Sequence, residues 1–190
     1  MLRKRRPRAA PLPIEQAGSA TAALAAAVTH LSRRDFCSTE LAARLAADGF
    51  AAEAVRSALV DLSERRYLDD ERYAQQFVAA HAGRGQGPQR IRRELLELGL
   101  DAALTDAALQ GHGEGHGGWV GLAREVRIRR FGLAAPGSWR ETARQSRFLQ
   151  YRGFSNDDIR SAVGDDAASG DDPVPAADAD LGDDVTGDAD

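Results

Sequence analysis

Cysteine, lysine and the β-branched apolar residues are all scarce in this chain. Cys37 is the single cysteine among 190 residues, which excludes an internal disulfide and any multi-cysteine zinc site. Its expected role is that of a small apolar core residue, and a reducing cytoplasm is the expected compartment. Lys4 is the only lysine, so arginine carries the positive charge. Arginine suits bidentate contacts to carboxylate or phosphate, although a GC-rich genome would produce the same bias. Only four Ile and nine Val occur, a poor supply for a sheet-based core. No apolar run approaches the ~20 residues of a membrane-spanning helix. The Ala-rich stretch from Ala20 to Val28 follows a basic start and superficially mimics a signal peptide. Alanine is only weakly hydrophobic, however, and Pro7, Pro11, Pro13 and Glu15 intervene. Leu24, Val28 and Leu31 also recur at helical spacing, so an amphipathic first helix accounts for the stretch better.

What is plentiful is Ala, Leu, Arg and Glu, residues that lose little freedom in a helix. Charge is laid out in blocks. The formal net of −4 conceals ten Asp and no basic residue in 165–190, and Arg3, Lys4, Arg5, Arg6 and Arg8 at the other end. The body between them is nearly neutral. Such terminal blocks read as disordered interaction tails or as plain solubilising ends. The acidic end is also suited to compete for any basic surface of the body.

Ser19 is placed to cap a helix from Ala20 to Leu31, and Ser38 another carrying Leu41 and Leu45. A third spans Ala52 to Arg65, with Val55, Leu59 and Leu62 on one face. Asp69 or Asp70 opens a helix with Tyr73, Phe77 and Val78. Pro88 suits the first turn of the next, which carries Ile91, Leu95 and Leu98. Asp101 caps one bearing Leu104, Ala108 and Leu109. After a Gly/His-rich stretch come helices with Leu122, Val126 and Phe131, then Trp139, Ala143 and Leu149, then Ile159 and Val163.

These three rounds superimpose. Gly49, Gly99 and Gly153 lie 50 and 54 residues apart, and each is preceded four residues earlier by Leu45, Leu95 or Leu149. Phe50, Leu100 or Phe154 follows directly. Leu41 and Ile91 correspond eight residues before the glycine, where Gln145 departs; Val55 and Ile159 correspond six after it, where Thr105 departs. A helix C-terminus favours glycine because the left-handed conformation there penalises a Cβ. The predicted fold is all-α: three tandem three-helix repeats, 18–66, 67–110 and 119–164, in an elongated, curved modular body. A disordered basic arm (1–17), a Gly/His linker (111–118) and a disordered acidic tail (165–190) complete the chain.

No catalytic constellation stands out. Asp69 and Asp70 could be paired acids, but helix capping explains them more simply. Glu94 and Glu97 with Arg90 and Arg93 suggest a salt-bridged, solvated face. His112 and His116 sit in a Gly-rich stretch without the rigid scaffold a metal needs, and Gly113, Gly115 and Gly118 match a dinucleotide fingerprint with no strand before it. His30 and His81 fall near helix ends. Arginine is the more informative signal. Arg140, Arg144 and Arg147 recur at i, i+4 and i+7, with Arg152 beyond; Arg124, Arg127 and Arg130 recur every third residue beside Arg129. Only Glu125 and Glu141 oppose them between 115 and 156. Arg84, Arg90, Arg92 and Arg93 cluster about one helix start. Such faces could meet DNA phosphate or an acidic protein surface, and each arginine alone is equally a solvated side chain.

The stretches Leu31-Ser-Arg-Arg-Asp-Phe-Cys-Ser-Thr-Glu-Leu41, Leu45 with Gly49-Phe50, Tyr67-Leu68-Asp69-Asp70-Glu71-Arg72-Tyr73-Ala74, Gly87 through Gly99, and Phe148-Leu149 with Arg152-Gly153-Phe154 together resemble the RecX family. The match covers roughly 30 to 164. The resemblance implies tandem three-helix repeats, in agreement with the periodicity. It implies binding to RecA in the groove of the RecA–DNA filament, limiting filament growth, ATP hydrolysis and strand exchange during recombinational repair and the SOS response. It also implies a cytoplasmic monomer with no cofactor, catalytic residue, membrane contact or small-molecule substrate, touching DNA weakly or through RecA. The candidate RecA- or DNA-binding residues are Arg90, Arg93, Arg124, Arg127, Arg130, Arg140, Arg144, Arg147 and Arg152. Tyr67, Leu68, Asp69, Asp70, Arg72, Tyr73, Ala74, Gly49, Gly99, Gly153 and Phe154 carry the family signature and are expected to be structural. The Gly/His linker and the acidic tail depart from a compact family member. A stand-alone DNA-binding protein of helix-turn-helix-like modules is the alternative.

Overall fold

The computed structural model describes residues 14–115 and 117–164. The expectations for residues 1–13, His116 and 165–190 lie outside these. The described residues form ten α-helices and no strand: α1 Ile14–Ala17, α2 Ala20–Leu31, α3 Ser38–Asp48, α4 Ala52–Glu64, α5 Asp70–Gly83, α6 Pro88–Glu97, α7 Ala102–Gly113, α8 Gly118–Phe131, α9 Trp139–Arg152 and α10 Asn156–Val163.

The helices group in threes. Helices α2–α4, α5–α7 and α8–α10 each pack around their own apolar cluster. The repeat spacing has a geometric counterpart. Gly49, Gly99 and Gly153 have φ of +103°, +83° and +90°. The next residue, Phe50, Leu100 or Phe154, donates its amide back to Leu45, Leu95 or Leu149 at 3.1, 3.2 and 3.2 Å, and its side chain is buried. Each unit therefore turns its second helix with the same glycine-centred lock.

Both departures from the repeat are buried. Gln145 replaces an apolar core residue and accepts from Arg127 Nη1 at 3.3 Å. Thr105 is fully buried, and its hydroxyl finds no partner among the described residues.

Several local expectations are corrected. Ser38 is not the cap of α3: Cys37 holds that position without a side-chain capping bond, and Ser38 is the first helical residue. Helix α7 runs through Gly111, His112 and Gly113, three residues into the presumed linker. Trp119 explains why, because its ring lies 5.0 Å from His112 and its Nε1 donates to Leu109 O. The end of the presumed basic arm, 14–17, is a helical turn, and Ala17 O accepts from Ala51 N at 2.8 Å. Helix α4 stops at Glu64, one residue short of the expected Arg65.

The units join through the ends of their second helices and, between the second and third, through α7 and α8, where Trp119 and Leu122 pack on the second cluster. The C-terminal end of α9 meets the N-terminus of α6: Gly87 N donates to Arg152 O at 2.8 Å and Gln89 N to Gly153 O at 3.0 Å. The C-terminal end of α6 in turn meets the start of α3: Thr39 Oγ1 donates to Gly99 O at 3.0 Å and the Cys37 thiol to Leu98 O at 3.8 Å. At the first joint, orphan amides of one helix satisfy orphan carbonyls of the other. The order α9, α6, α3 is head to tail, with helix dipoles in the same sense at both joints. The three helices amount to about 50 Å of helix at ~1.5 Å per residue.

Candidate partner-binding surface

The family-signature stretch builds the joint between the first two units. Leu68 is buried in the first unit's core and Ala74 in the second's. Asp69 caps α5, accepting from Arg72 N at 2.9 Å. Asp70 reaches across instead, accepting from Ser38 N at 2.7 Å and from the Ser38 hydroxyl. It supplies in trans the cap that Cys37 cannot give α3. Tyr73 is half-buried beside the first unit. Burial above all, then the charge of Glu40, pushes its phenol up to about 12. Burial likewise pushes the Cys37 thiol up. Tyr67 and Arg72 are exposed.

The nine candidate arginines divide between structure and surface. Arg127 is corrected: it is buried, donating from Nη1 to Ala134 O at 3.0 Å and to Gln145. Its every-third-residue spacing with Arg124 and Arg130 turns it about 60° away from each, into the α8–α9 interface. Arg90 pairs with Glu94 at 2.9 Å, and its backbone lies beneath Gly153. Arg152 donates to Arg84 O at 3.1 Å and covers the Phe148 ring at 5.1 Å. Both belong to the joint between units two and three. Arg93 is exposed and only loosely paired with Glu97, at 3.8 Å.

Arg124, Arg130, Arg140, Arg144 and Arg147 remain on the surface. Among the described residues, none of these five has an acidic partner within ion-pair distance. The first two units differ: Arg34–Glu40, Arg44–Asp48, Arg65–Asp61 and Arg92–Asp106 are all paired. The hydrogen bond from Arg92 also holds the Asp106 carboxyl below its usual range. On α9, Arg140, Arg144, Arg147 and Tyr151 share one exposed stripe at i, i+4, i+7 and i+11. Aromatic and apolar groups interleave with them. Phe131 and Phe148 meet edge to face at 5.3 Å, and the Arg144 and Arg130 guanidinium groups lie 5.1 and 5.9 Å from the Phe131 ring. These four side chains line a shallow groove of about 330 Å³. Tyr151, Trp139 and Leu133 are 80, 63 and 82 % exposed.

The arginine spacing pointed to this face; its aromatic component was missed. In sequence Trp139 groups with Ala143 and Leu149, the apolar residues of its helix. Only the tertiary structure shows its ring in solvent. The His112 expectation is refined by its contact with Trp119. Among the described residues no three His, Cys, Asp or Glu side chains converge as a metal site would require. No helix among them is long and apolar enough to cross a membrane.

Tandem three-helix units with an arginine-rich, aromatic-studded outer face define a helical-repeat body built to present surface. Residues 69–109 match the family model for the second three-helix domain of RecX, and 121–163 that for the third. Regulatory protein RecX of Halorhodospira halophila is 40 % identical over 151 residues, covering 79 % of this chain and 92 % of that one. Its counterpart in Vibrio vulnificus is 39 % identical over 142 residues, 74 % and 90 % of the two chains. The crystal structure of RecX from Lactobacillus salivarius shares the fold, with a TM-score of 0.66 at 19 % identity over 76 % of this chain and 94 % of that one. The chain belongs to the RecX family of regulatory proteins.

Proposed function

We propose that this chain is a mainly negative regulator of the RecA recombinase, lying along the RecA–DNA filament and limiting its growth, ATP hydrolysis and strand exchange. The observation that carries the reading is the arginine stripe of α9, without an ion-pair partner among the described residues and set at one end of a head-to-tail row of helices. A long surface contacts several subunits of a polymer at once, and its basic end suits an acidic protein face or phosphate. Family membership supports the regulatory role; RecA as the partner follows from the resemblance. A binder of this kind shifts the filament only by its differential affinity for two filament states, about 1.4 kcal/mol for each tenfold. It needs no cofactor and acts as a cytoplasmic monomer.

The test is DNA-dependent ATP hydrolysis by RecA. The full chain lowers it at substoichiometric amounts, and the R140A/R144A/R147A variant loses at least about tenfold in potency with unchanged melting. Absence of inhibition over a wide concentration range rejects the reading. The same stripe also suits phosphate contact by an independent DNA-binding protein. Tight, steeply salt-dependent DNA binding without RecA favours that second reading.

A further inference from the structure

We infer that the acidic C-terminal segment, residues 165–190, docks on the arginine face of the third unit of its own chain, so that an anionic partner must displace it. The displacement rests on the function proposed above; the docking itself does not.

Charge is the first support. The segment has ten Asp and nothing basic with which to pair internally. The third unit offers the exposed α9 stripe of Arg140, Arg144 and Arg147, with Arg130 beside Arg144 at the Phe131 ring, and Arg124 and Arg129 elsewhere on the exposed surface of α8. The nearest acid on α9, Glu141, is already engaged by Gly137 N at 2.8 Å. The arginines of the first two units are largely paired with neighbouring carboxylates, so the third unit is where an added acidic chain gains most.

The exit point is the second support. Helix α10 packs against both α8 and α9 and ends at Val163. Arg124 Nη2 donates to Ser161 O at 3.4 Å, so an exposed arginine of the third unit lies beside the point where the chain leaves it. A random coil of this length would span roughly 28 Å on average. The stripe from Arg140 to Tyr151 is only about 17 Å long. Reach is therefore ample, and the tether gives an effective concentration on the order of millimolar. Exposed ion pairs are individually weak, and salt screens them over about 8 Å at physiological strength. The contact is accordingly a displaceable cover rather than a fixed lock.

Two measurements on the full chain test this. A spin label at Ser169→Cys, selective because Cys37 is fully buried, broadens the amides of Arg140, Arg144 and Arg147 at about 50 mM salt and releases them at about 500 mM. Replacing all ten Asp of the segment by Asn tightens binding to heparin, used as a plain polyanion, about tenfold at low salt and less than about twofold at high salt. Absence of α9 broadening overturns the inference. So does broadening seen only when labelled and unlabelled chains are mixed, which makes the contact intermolecular, or broadening confined to residues 3–8. Loss of RecA inhibition with α9 broadening intact refutes the proposed function alone; the reverse pattern refutes the docking alone.

Discussion

Replacing Gly87 by alanine strikes the joint between α9 and α6 while leaving every unit core untouched. Gly87 has φ −86° and ψ 166°, a conformation open to any residue, so alanine brings no backbone penalty. Its Cβ, however, would sit about 1 Å inside ordinary contact of Gly153 C and O and Phe154 N. Those are backbone atoms that cannot swing aside. The joint must open, stretching Gly87 N–Arg152 O and Gln89 N–Gly153 O. Each bond contributes about 0.5–1.5 kcal/mol net, and forced overpacking costs about 1–3 kcal/mol. The lower entropy of the unfolded alanine chain returns about 0.4–1 kcal/mol. The net loss is about 3 kcal/mol, or roughly 6–12 °C in melting temperature for a chain of this size. Hydrogen exchange is the assay: the Gly87 and Gln89 amides lose protection while Leu95 and Leu149 keep theirs. Gly83→Ala is the control, because Gly83 is helical and an added Cβ meets nothing within 4 Å among the described residues. It should be neutral or stabilising by up to about 1 kcal/mol. A G87A protein that melts like the wild type and keeps both amides protected refutes the tight-joint account.

Asp70→Ala should cost about 1–2 kcal/mol in urea unfolding and expose the Ser38 amide, although residue 70 lies in α5. Equal protection of Ser38 in D70A and wild type would remove the trans-cap. Gln145→Leu should cost about 1–3 kcal/mol by depriving the buried Arg127 guanidinium of an acceptor, and R127M/Q145L should recover most of it. Additive losses in that double mutant contradict the pairing. The Tyr73 phenol ionises only near pH 12 in the folded chain, against 10.0 ordinarily. Its folded value is raised, so its contribution is complete below about pH 10 and disappears as pH rises towards about 12. Denaturation midpoints should fall more steeply across that window for wild type than for Tyr73→Phe, and parallel slopes would contradict the assignment.

Periodicity captured the units because each buries its own apolar stripe, and the glycine of the Schellman turn leaves a fixed mark in sequence. Leu45, Leu95 and Leu149 could be placed by counting. The joints could not. Gly153 needs its positive φ for the turn, which was legible, but it also lacks room for a Cβ because Arg90 N lies 2.7 Å from that position. Asp69 and Asp70 are chemically identical neighbours, yet one caps its own helix and the other a helix in the preceding unit. Only their directions in space separate them. Arg127 shows the converse difficulty. Its charge suggested a surface role, whereas Gln145, noted as a break in the repeat, is the partner that makes its burial tolerable. The missing leucine and the buried arginine are one event, visible only once α8 lies against α9.

The uniform sense of the stacked second helices makes the two extremities chemically unlike. One finishes in the start of α9, where peptide N–H groups face outward, and the other in the finish of α3, where carbonyls do. Such an object has an arrow. Laid on a partner that itself runs in one direction, its two placements would differ in energy.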